Sequence, residues 1–528
     1  MNLEKLISKG YFPKELPPPF NTELLGNKVN AIINHFNSFD TKTKNKYRET
    51  HNVFFSTPKV GLSRRILGIP NPIHQIELSD IIIKNWTSIE KIFSESKISS
   101  SKPIEDDSND RALKTICEFG EFREKCFEIS FNKSFELKTD ISKYYPTIYT
   151  HSIPWALHTK KVAKKKRFDF TLLGNLIDKA IRSGQSGQTK GIPIGPDTSR
   201  VISEILGCTF DKFLSDKFSI KGYRFVDDCY FYFSSYSDAE KLFKYFQSIL
   251  TDFSLDINEE KTCIKQLPYP FETAWVIALS NFRIRTNKKG QRTDLKNYIS
   301  LAFEMLVTYP KDSIMKFTIR KLYYSKIYKE NWTLFESLIL KIGISEPVTL
   351  PHILRILLTY KKWVNKNRLK EFVNEIIRQH IYKGHHYEVS WALWIAHSFS
   401  IKINKPLAQQ ILDSKDVISI IIALDLKSRG LIVDTIDLSE ILIEINIDSL
   451  ITEWWLLVYE SVKKGWIIPA DRNLIEKSEY FKKLKDENIE FYDNTRQIEK
   501  ITFEKEKEYL KKNQEERAEY KFIVIEYN

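Results

Sequence analysis

At 528 residues the chain is too long for one compact domain, and roughly 150 residues per domain points to about three units. Hydrophobic residues at 42% and charged residues at 28% exclude wholesale disorder, and 17 glycines with 19 prolines exclude a linker-dominated or collagen-like chain. A net charge of +13 together with 34 Phe, 25 Tyr and 10 Trp suits a nucleic-acid partner, although any lysine-rich protein shows the same balance.

Five cysteines, an odd number with no CxxC pair, argue against a disulfide framework and against a thiolate zinc site. The opening stretch MNLEKLISKGYF lacks the apolar core of a secretory signal. The run Val417–Leu426 is too short to span a bilayer and carries Asp425. The expectation is a cytoplasmic protein that does not cross a membrane.

In chain order, the first informative element is Phe135–Asp140, read as a strand that ends on a carboxylate. The following ISKYYPTIYTHSI turns into a short helix broken by Pro146. Between Lys160 and Arg167, six of eight residues are basic, which makes either a track for the phosphates of a single strand or a solvated loop. Gly187–Gly207 (GQTKGIPIGPDTSRVISEILG) is a glycine-rich loop running into a helix. Gly191 and Gly195 flank a proline there and would let backbone approach a flat partner such as a nascent base pair. Tyr223–Phe233 (YRFVDDCYFYF) reads as an aromatic hairpin with Asp227 and Asp228 at its tip.

Near residue 290 the pattern changes, with the polar run Arg285–Thr293 as the boundary. Beyond it apolar residues recur at helical spacing, as in ISLAFEMLV and SLITEWWLLVYESV. No fixed repeat length emerges. His385, His386 and His397 in this half read as core and capping residues, because tryptophans separate them and no cysteine or clustered carboxylate joins them. Lys505–Glu519 reads as a charged helix or tail with a solvated face.

An Asp pair at a turn is usually turn chemistry. A third carboxylate at another strand end adds a different prospect, since phosphoryl transfer by two metal ions roughly 3.5–4 Å apart needs convergent hard oxygens. Carboxylates on neighbouring strands hold that geometry better than carboxylates on loops.

The order of strand Asp, glycine-rich loop into helix, and aromatic Asp-Asp hairpin resembles the palm of reverse transcriptases. Asp140 matches motif A, Gly191–Ser199 the motif B loop, and Phe225-Val226-Asp227-Asp228 the YxDD box. Leu255-Asp256-Ile257-Asn258 with Lys261-Thr262 matches the next motif, and Arg64–Pro72 with Gln75 resembles the fingers motif of bacterial enzymes. The resemblance covers about residues 55–265.

Ile194 stands where motif B usually has Gln, Ser199-Arg200 where it has Ser-Pro, and Phe225 where the box has Tyr. With Tyr149–Leu157 (YTHSIPWAL), His386–Trp394 and Glu453–Leu457, these departures are similar to the abortive-infection (Abi) group of antiphage reverse transcriptases. The resemblance implies an α+β fold, with a fingers–palm module over residues 1–285 and an all-helical HEAT-like domain over 290–528 that ends in a charged tail. It implies antiphage DNA synthesis from dNTPs, without a template and primed by a protein hydroxyl, by homo-oligomers using Mg²⁺ or Mn²⁺. Single-stranded DNA attached to the protein would be the product, and RNA is a further partner.

On this reading Asp140, Asp227 and Asp228 are the metal ligands and catalytic carboxylates. Tyr145 takes the place of the ring that excludes ribonucleotides. Arg64, Arg65 and Arg111 are fingers cations for the triphosphate, each equally readable as a surface charge, and Lys261 would approach the leaving pyrophosphate. Ile194 offers bulk where an amide could bond, which fits relaxed template dependence. Tyr11, Tyr47, Tyr520 and Tyr527, near the chain ends, are the priming candidates. Two other functions compete: an RNA-templated reverse transcriptase of retron or group II intron type, and a catalytically idle nucleic-acid-binding scaffold that recognises a phage component.

Overall fold

The computed structural model describes residues 1–502 apart from 60, 62, 107, 109 and 434. Two antiparallel hairpins precede the main sheet: β1 (Val53–Pro58) with β2 (Arg64–Ile69), and β3 (Pro103–Glu105) with β4 (Leu113–Thr115). The main sheet is built from β5 (Phe135–Asp140), β6 (Gly222–Phe225), β7 (Asp228–Phe233) and β8 (Cys263–Gln266) in the order β6-β7-β5-β8, every pair antiparallel.

Period-2 alternation sets the two faces of this sheet. Leu137, Cys229 and Phe231 face a core shared with helices Asp197–Lys217 and Tyr236–Asp252. Ser235 caps the second of these helices by accepting from the Asp238 amide, and Asp238 in the first turn complements the helix dipole. The opposite face carries Tyr230 and Tyr232 and is partly covered by helix Phe119–Ile129 through Phe122 and Cys126.

From Ala274 onward every regular element among the described residues is helical, which matches the all-helical expectation for this half. The polar run at Arg285–Thr293 is not an extended linker. Asn287 caps helix Lys288–Thr308, and Arg285 closes its first turns with a bond of 2.7 Å to Asp294.

A single apolar core extends from Leu3 to Ile501 and binds the N-terminal helices to the helical half. Phe12 stacks near Phe491 at 5.8 Å, and Phe20 meets Tyr492 edge-on at 5.1 Å. All five cysteines are free. No helix among the described residues is long and apolar enough to cross a membrane.

Candidate active site

The β5–β7 register places Asp140 directly opposite Asp228. Side chains two apart share a face, so both carboxylates stand with Lys138 and Tyr230, and the Lys138 ammonium lies 5.2 Å from the Tyr230 ring centre. Asp227 occupies the turn just before β7. Its carbonyl accepts from the Ile141 amide at 3.3 Å, which ties the hairpin tip to the end of β5. Ligand atoms of Asp140, Asp227 and Asp228 lie within 4.8 Å of one another.

Three carboxylates this close repel, and like charges opposed across strands are destabilising. Burial, Asp228 and Asp140 together push the Asp227 carboxyl up to about 7. Asp228 is also raised, by burial and by Asp140 against the pull of Lys261. Lys261, from a 3₁₀ turn at Glu259–Lys261, donates to Asp140 Oδ2 at 2.8 Å. Its ammonium is partly desolvated, yet the three carboxylates hold it above the ordinary lysine range. Lys261 bonds the cluster directly, whereas Lys138 acts on Asp228 only through space, and the donors are hard oxygens. The cluster therefore fits a divalent ion of the Mg²⁺ or Mn²⁺ kind.

The glycine-rich loop is tied to this centre by its backbone. The Gly191 amide bonds the Ile148 carbonyl at 2.8 Å, and the Ile192 amide bonds the Tyr145 carbonyl at 3.0 Å. Gly191 adopts φ +86°, and a Cβ there would sit 3.0 Å from the Pro146 carbonyl oxygen. Gly195, at φ +131°, packs so closely on Pro13 that a Cβ would come within 2.6 Å of that ring. Ile194 packs against the large core, and its carbonyl accepts from the Gly68 amide of β2 at 3.0 Å.

Tyr144 and Tyr145 divide their roles. Tyr144 is buried and bonds the Ser203 carbonyl at 2.7 Å. Tyr145 is only half-buried and receives a bond from the Ser203 hydroxyl at 3.0 Å. Burial raises the Tyr145 phenol, and the Asp227 charge adds to the rise.

Several expected site residues are engaged elsewhere. The Arg64 guanidinium forms two 2.7 Å bonds to the Glu388 carboxylate, from helix His386–Phe399 of the helical half. It therefore joins fingers to helices and is not held ready for a triphosphate. The cluster His380, His385 and Glu388 has metal-ligand spacing, but Arg64 already takes both Glu388 oxygens. His397 pairs with Asp425 at 3.2 Å and stacks on Trp394. Arg111 bonds the Phe12 carbonyl at 2.7 Å, the Gly195 carbonyl at 3.0 Å and Asp197 at 2.7 Å, so it clamps the glycine-rich loop to the N-terminal segment.

Two priming candidates are also corrected. Tyr11 is fully buried and its hydroxyl bonds the Pro70 carbonyl. Tyr47 is buried and pairs with the Ser478 hydroxyl at 3.0 Å. Neither presents a reactive oxygen, because position near a chain end did not prevent either ring from joining the core. Tyr520, Tyr527 and the tail Lys505–Glu519 lie outside the described residues.

Sequence reasoning missed Lys59. It stands at the β1–β2 tip, exposed, with its amide bonded to the Ser63 carbonyl at 3.1 Å. Desolvation, then Arg65 and Lys261, draw its ammonium below the lysine range, while Asp227 and Asp140 pull the other way. Those influences put Lys59 within electrostatic reach of the carboxylates, with Arg65 beside it. A long-range hairpin fold brings them there, and nothing local in the sequence marks Lys59.

Arg224 was missed as well. It is fully buried, bonds Glu204 at 2.7 Å and Asp211 at 2.8 Å, and donates to the Val226 carbonyl at 2.9 Å.

Residues 81–283 match the family of reverse transcriptases (RNA-dependent DNA polymerases). Among solved structures, the chain is similar to telomerase from Candida albicans, solved with a TWJ fragment of telomeric RNA. The identity is 13% and the TM-score 0.28, over 69% of this chain and 70% of that one. No curated protein matches the sequence. Domains of the matched family use divalent metal ions and bind nucleotides and nucleic acid. Residues 81–283, with Asp140 facing Asp228 across two strands, therefore form a reverse-transcriptase-like polymerase domain of the nucleotidyltransferase class.

Proposed function

We propose that this protein is an antiphage DNA polymerase that adds dNTPs without a template, primed from one of its own hydroxyls. The convergence of Asp140, Asp227 and Asp228 within 4.8 Å carries the catalytic part. A divalent ion held there would supply charge neutralisation at the phosphates and acidify the attacking hydroxyl. The chain's own residues do the rest. Neighbouring strands hold Asp140 and Asp228 in place, and the turn between β6 and β7 holds Asp227. Lys261, 2.8 Å from Asp140, is positioned to meet charge that develops on the leaving pyrophosphate. Lys59 and Arg65 are the cations on the fingers side. Tyr145, bonded by the Ser203 hydroxyl and acted on by Asp227, would carry its ring under the sugar. The attacking oxygen forms a bond to the α-phosphorus, the bond to pyrophosphate breaks, and the hydroxyl proton passes to water.

Absence of a template rests on Ile194. Its side chain packs into the core and has no amide to offer a templating base. Protein priming, phage defence, homo-oligomers and a cytoplasmic site rest on the likeness to the Abi group. With Tyr11 and Tyr47 buried, the priming proposal falls on Tyr520 and Tyr527. The test is incubation with Mg²⁺ and labelled dNTPs alone, followed by denaturing gels before and after protease. Label that runs with the protein until digestion supports this function. Label that appears only with an added RNA template and primer favours the RNA-templated enzyme.

A further inference from the structure

We propose that the groove bordered by helices Thr41–Lys46, Lys160–Lys165 and Leu173–Ser183 binds a single-stranded polynucleotide, holding its phosphates on lysine and arginine and its bases on exposed rings. None of the catalytic carboxylates lines this groove, and the inference does not depend on the polymerase function. The cavity holds about 1020 Å³, at the upper end of the roughly 300–1,000 Å³ of a small-molecule pocket.

Six cations line it: Lys44, Arg48, Lys164, Arg167, Lys179 and Arg182. Three carboxylates share the lining, and each has a neighbouring partner. Glu77 pairs with His74 at 3.0 Å, and Asp178 with His151 at 2.9 Å and Arg182 at 3.2 Å. Glu49 lies 4.0 Å from Arg48. Lys164 and Arg167 are exposed and form no ion pair with a carboxylate among the described residues, and Lys179 and Lys44 reach Glu77 only through space, so six cations against three carboxylates favour an anion.

The rings decide which anion. Phe168 is 74% exposed and Phe170 41%, both beside the basic helix. The Arg167 guanidinium lies 4.6 Å from the Phe168 ring centre and the Lys179 ammonium 4.9 Å from that of Phe170. Large rings held in water next to cations are the arrangement that stacks unpaired bases and grips their phosphates together. A duplex hides its base faces and gains nothing from them.

The groove also meets the glycine-rich loop. Tyr149, His151 and Gly187 belong to its wall, and the Thr150 amide bonds the Thr189 carbonyl at 2.8 Å. A strand lying there would end beside the loop that leads to Gly191.

The test uses the full chain carrying Asp227→Asn, so that no extension occurs, without Mg²⁺ or dNTPs. Fluorescein-labelled 15-mers of oligothymidylate and oligouridylate are titrated by anisotropy over a range of salt. The expected result is binding that weakens steeply with salt, with the tighter oligomer identifying the sugar. Lys164→Glu with Arg167→Glu should weaken binding at least about 10-fold and reduce the log–log salt slope by about 1.4. Phe168→Ala with Phe170→Ala should weaken it roughly 10-fold and leave the slope in place. These side chains are exposed, and unchanged melting temperatures will confirm an intact fold. Three results overturn the proposal: no binding of either oligomer, equal binding of a duplex, or strand binding that neither double variant alters. Competition by polyglutamate as effective as by oligonucleotide also overturns it, since that would mark a site for acidic protein.

Discussion

Arg224 donates to the carbonyl of Val226 at 2.9 Å, and Val226 holds φ at +56°. A β-branched residue in the left-handed region is strained, and such a residue persists only where its surroundings over-determine it. Here the Ser101 hydroxyl accepts from the Val226 amide at 2.8 Å while Arg224 holds the carbonyl. The strained turn is what places Asp227 beside Asp140. Arg224→Met should cost about 3–5 kcal/mol, because it strands Glu204 and Asp211 in the core. Ser101→Ala should cost only about 1 kcal/mol and leave the fold intact. Its nucleotide incorporation should nevertheless drop, with a higher Mg²⁺ concentration needed for half-maximal rate. An unchanged metal requirement in Ser101→Ala would show that the turn does not depend on this bond.

The acid cluster makes stability depend on pH. Asp227 titrates near 7 in the folded chain against an ordinary 3.8, so between those values the native state holds a proton that the unfolded state has lost. The contribution of Asp227 to the stability of the metal-free protein is therefore fully present below 3.8, declines as pH rises from there to about 7, and then levels off. Asp227→Asn should remove this decline and raise metal-free stability at pH 8 by roughly 1–2 kcal/mol, a value discounted for the half-exposed carboxylate. Thermal melts across pH 4–9 with chelator, and again with Mg²⁺, read both effects. Mg²⁺ should raise the wild-type melting temperature more than that of the variant.

Tyr145 is expected to discriminate between sugars. Tyr145→Ala should admit ribonucleotides, lowering the dNTP-over-rNTP preference by about 10-fold or more, since a ring lost from a packed site removes several kcal/mol of contact. The Ser203 hydroxyl would lose its acceptor, so Ser203→Ala serves as a control that keeps the ring. Competition between labelled dNTP and rNTP measures the ratio, and no change in Tyr145→Ala would remove this role.

Arg64 and Lys59 should separate structural from substrate effects. Arg64→Ala leaves Glu388 buried with only His385, 3.7 Å away, for about 3 kcal/mol of lost stability. Glu388→Ala should lower the melting temperature by a similar amount. Lys59→Ala and Arg65→Ala, by contrast, should leave melting nearly unchanged and raise the KM for dNTP severalfold. A KM effect confined to Arg64→Ala would restore that residue to the triphosphate.

Much of this site was legible in the sequence, because local pattern encodes it. The aromatic alternation around Asp227-Asp228, and the strand that ends on Asp140, mark elements whose period alone fixes which side chains share a face. The change to helical spacing was equally plain, although the helices begin at Ala274, before the polar run at Arg285–Thr293. What escaped is long-range. Arg64 looked like a free fingers cation because its partner, Glu388, lies on a distant helix. Arg111 looked like a surface charge or phosphate ligand, yet Asp197 and two carbonyls take it. Tyr11 and Tyr47 looked accessible, but each ring found a place in a core assembled from both ends of the chain. Lys59 carries no motif, and only the closed hairpin brings it toward the carboxylates.

The most direct measurement is incorporation of labelled dNTP by wild type and by Asp227→Asn, side by side in Mg²⁺ and in Mn²⁺, each with and without RNA template and primer. Wild type should incorporate label in at least one condition. The variant should fall at least about 10²-fold below it, because metal-assisted charge stabilisation contributes several kcal/mol. Equal label in the two proteins, or none in wild type under every condition, would contradict a polymerase centred on Asp140, Asp227 and Asp228.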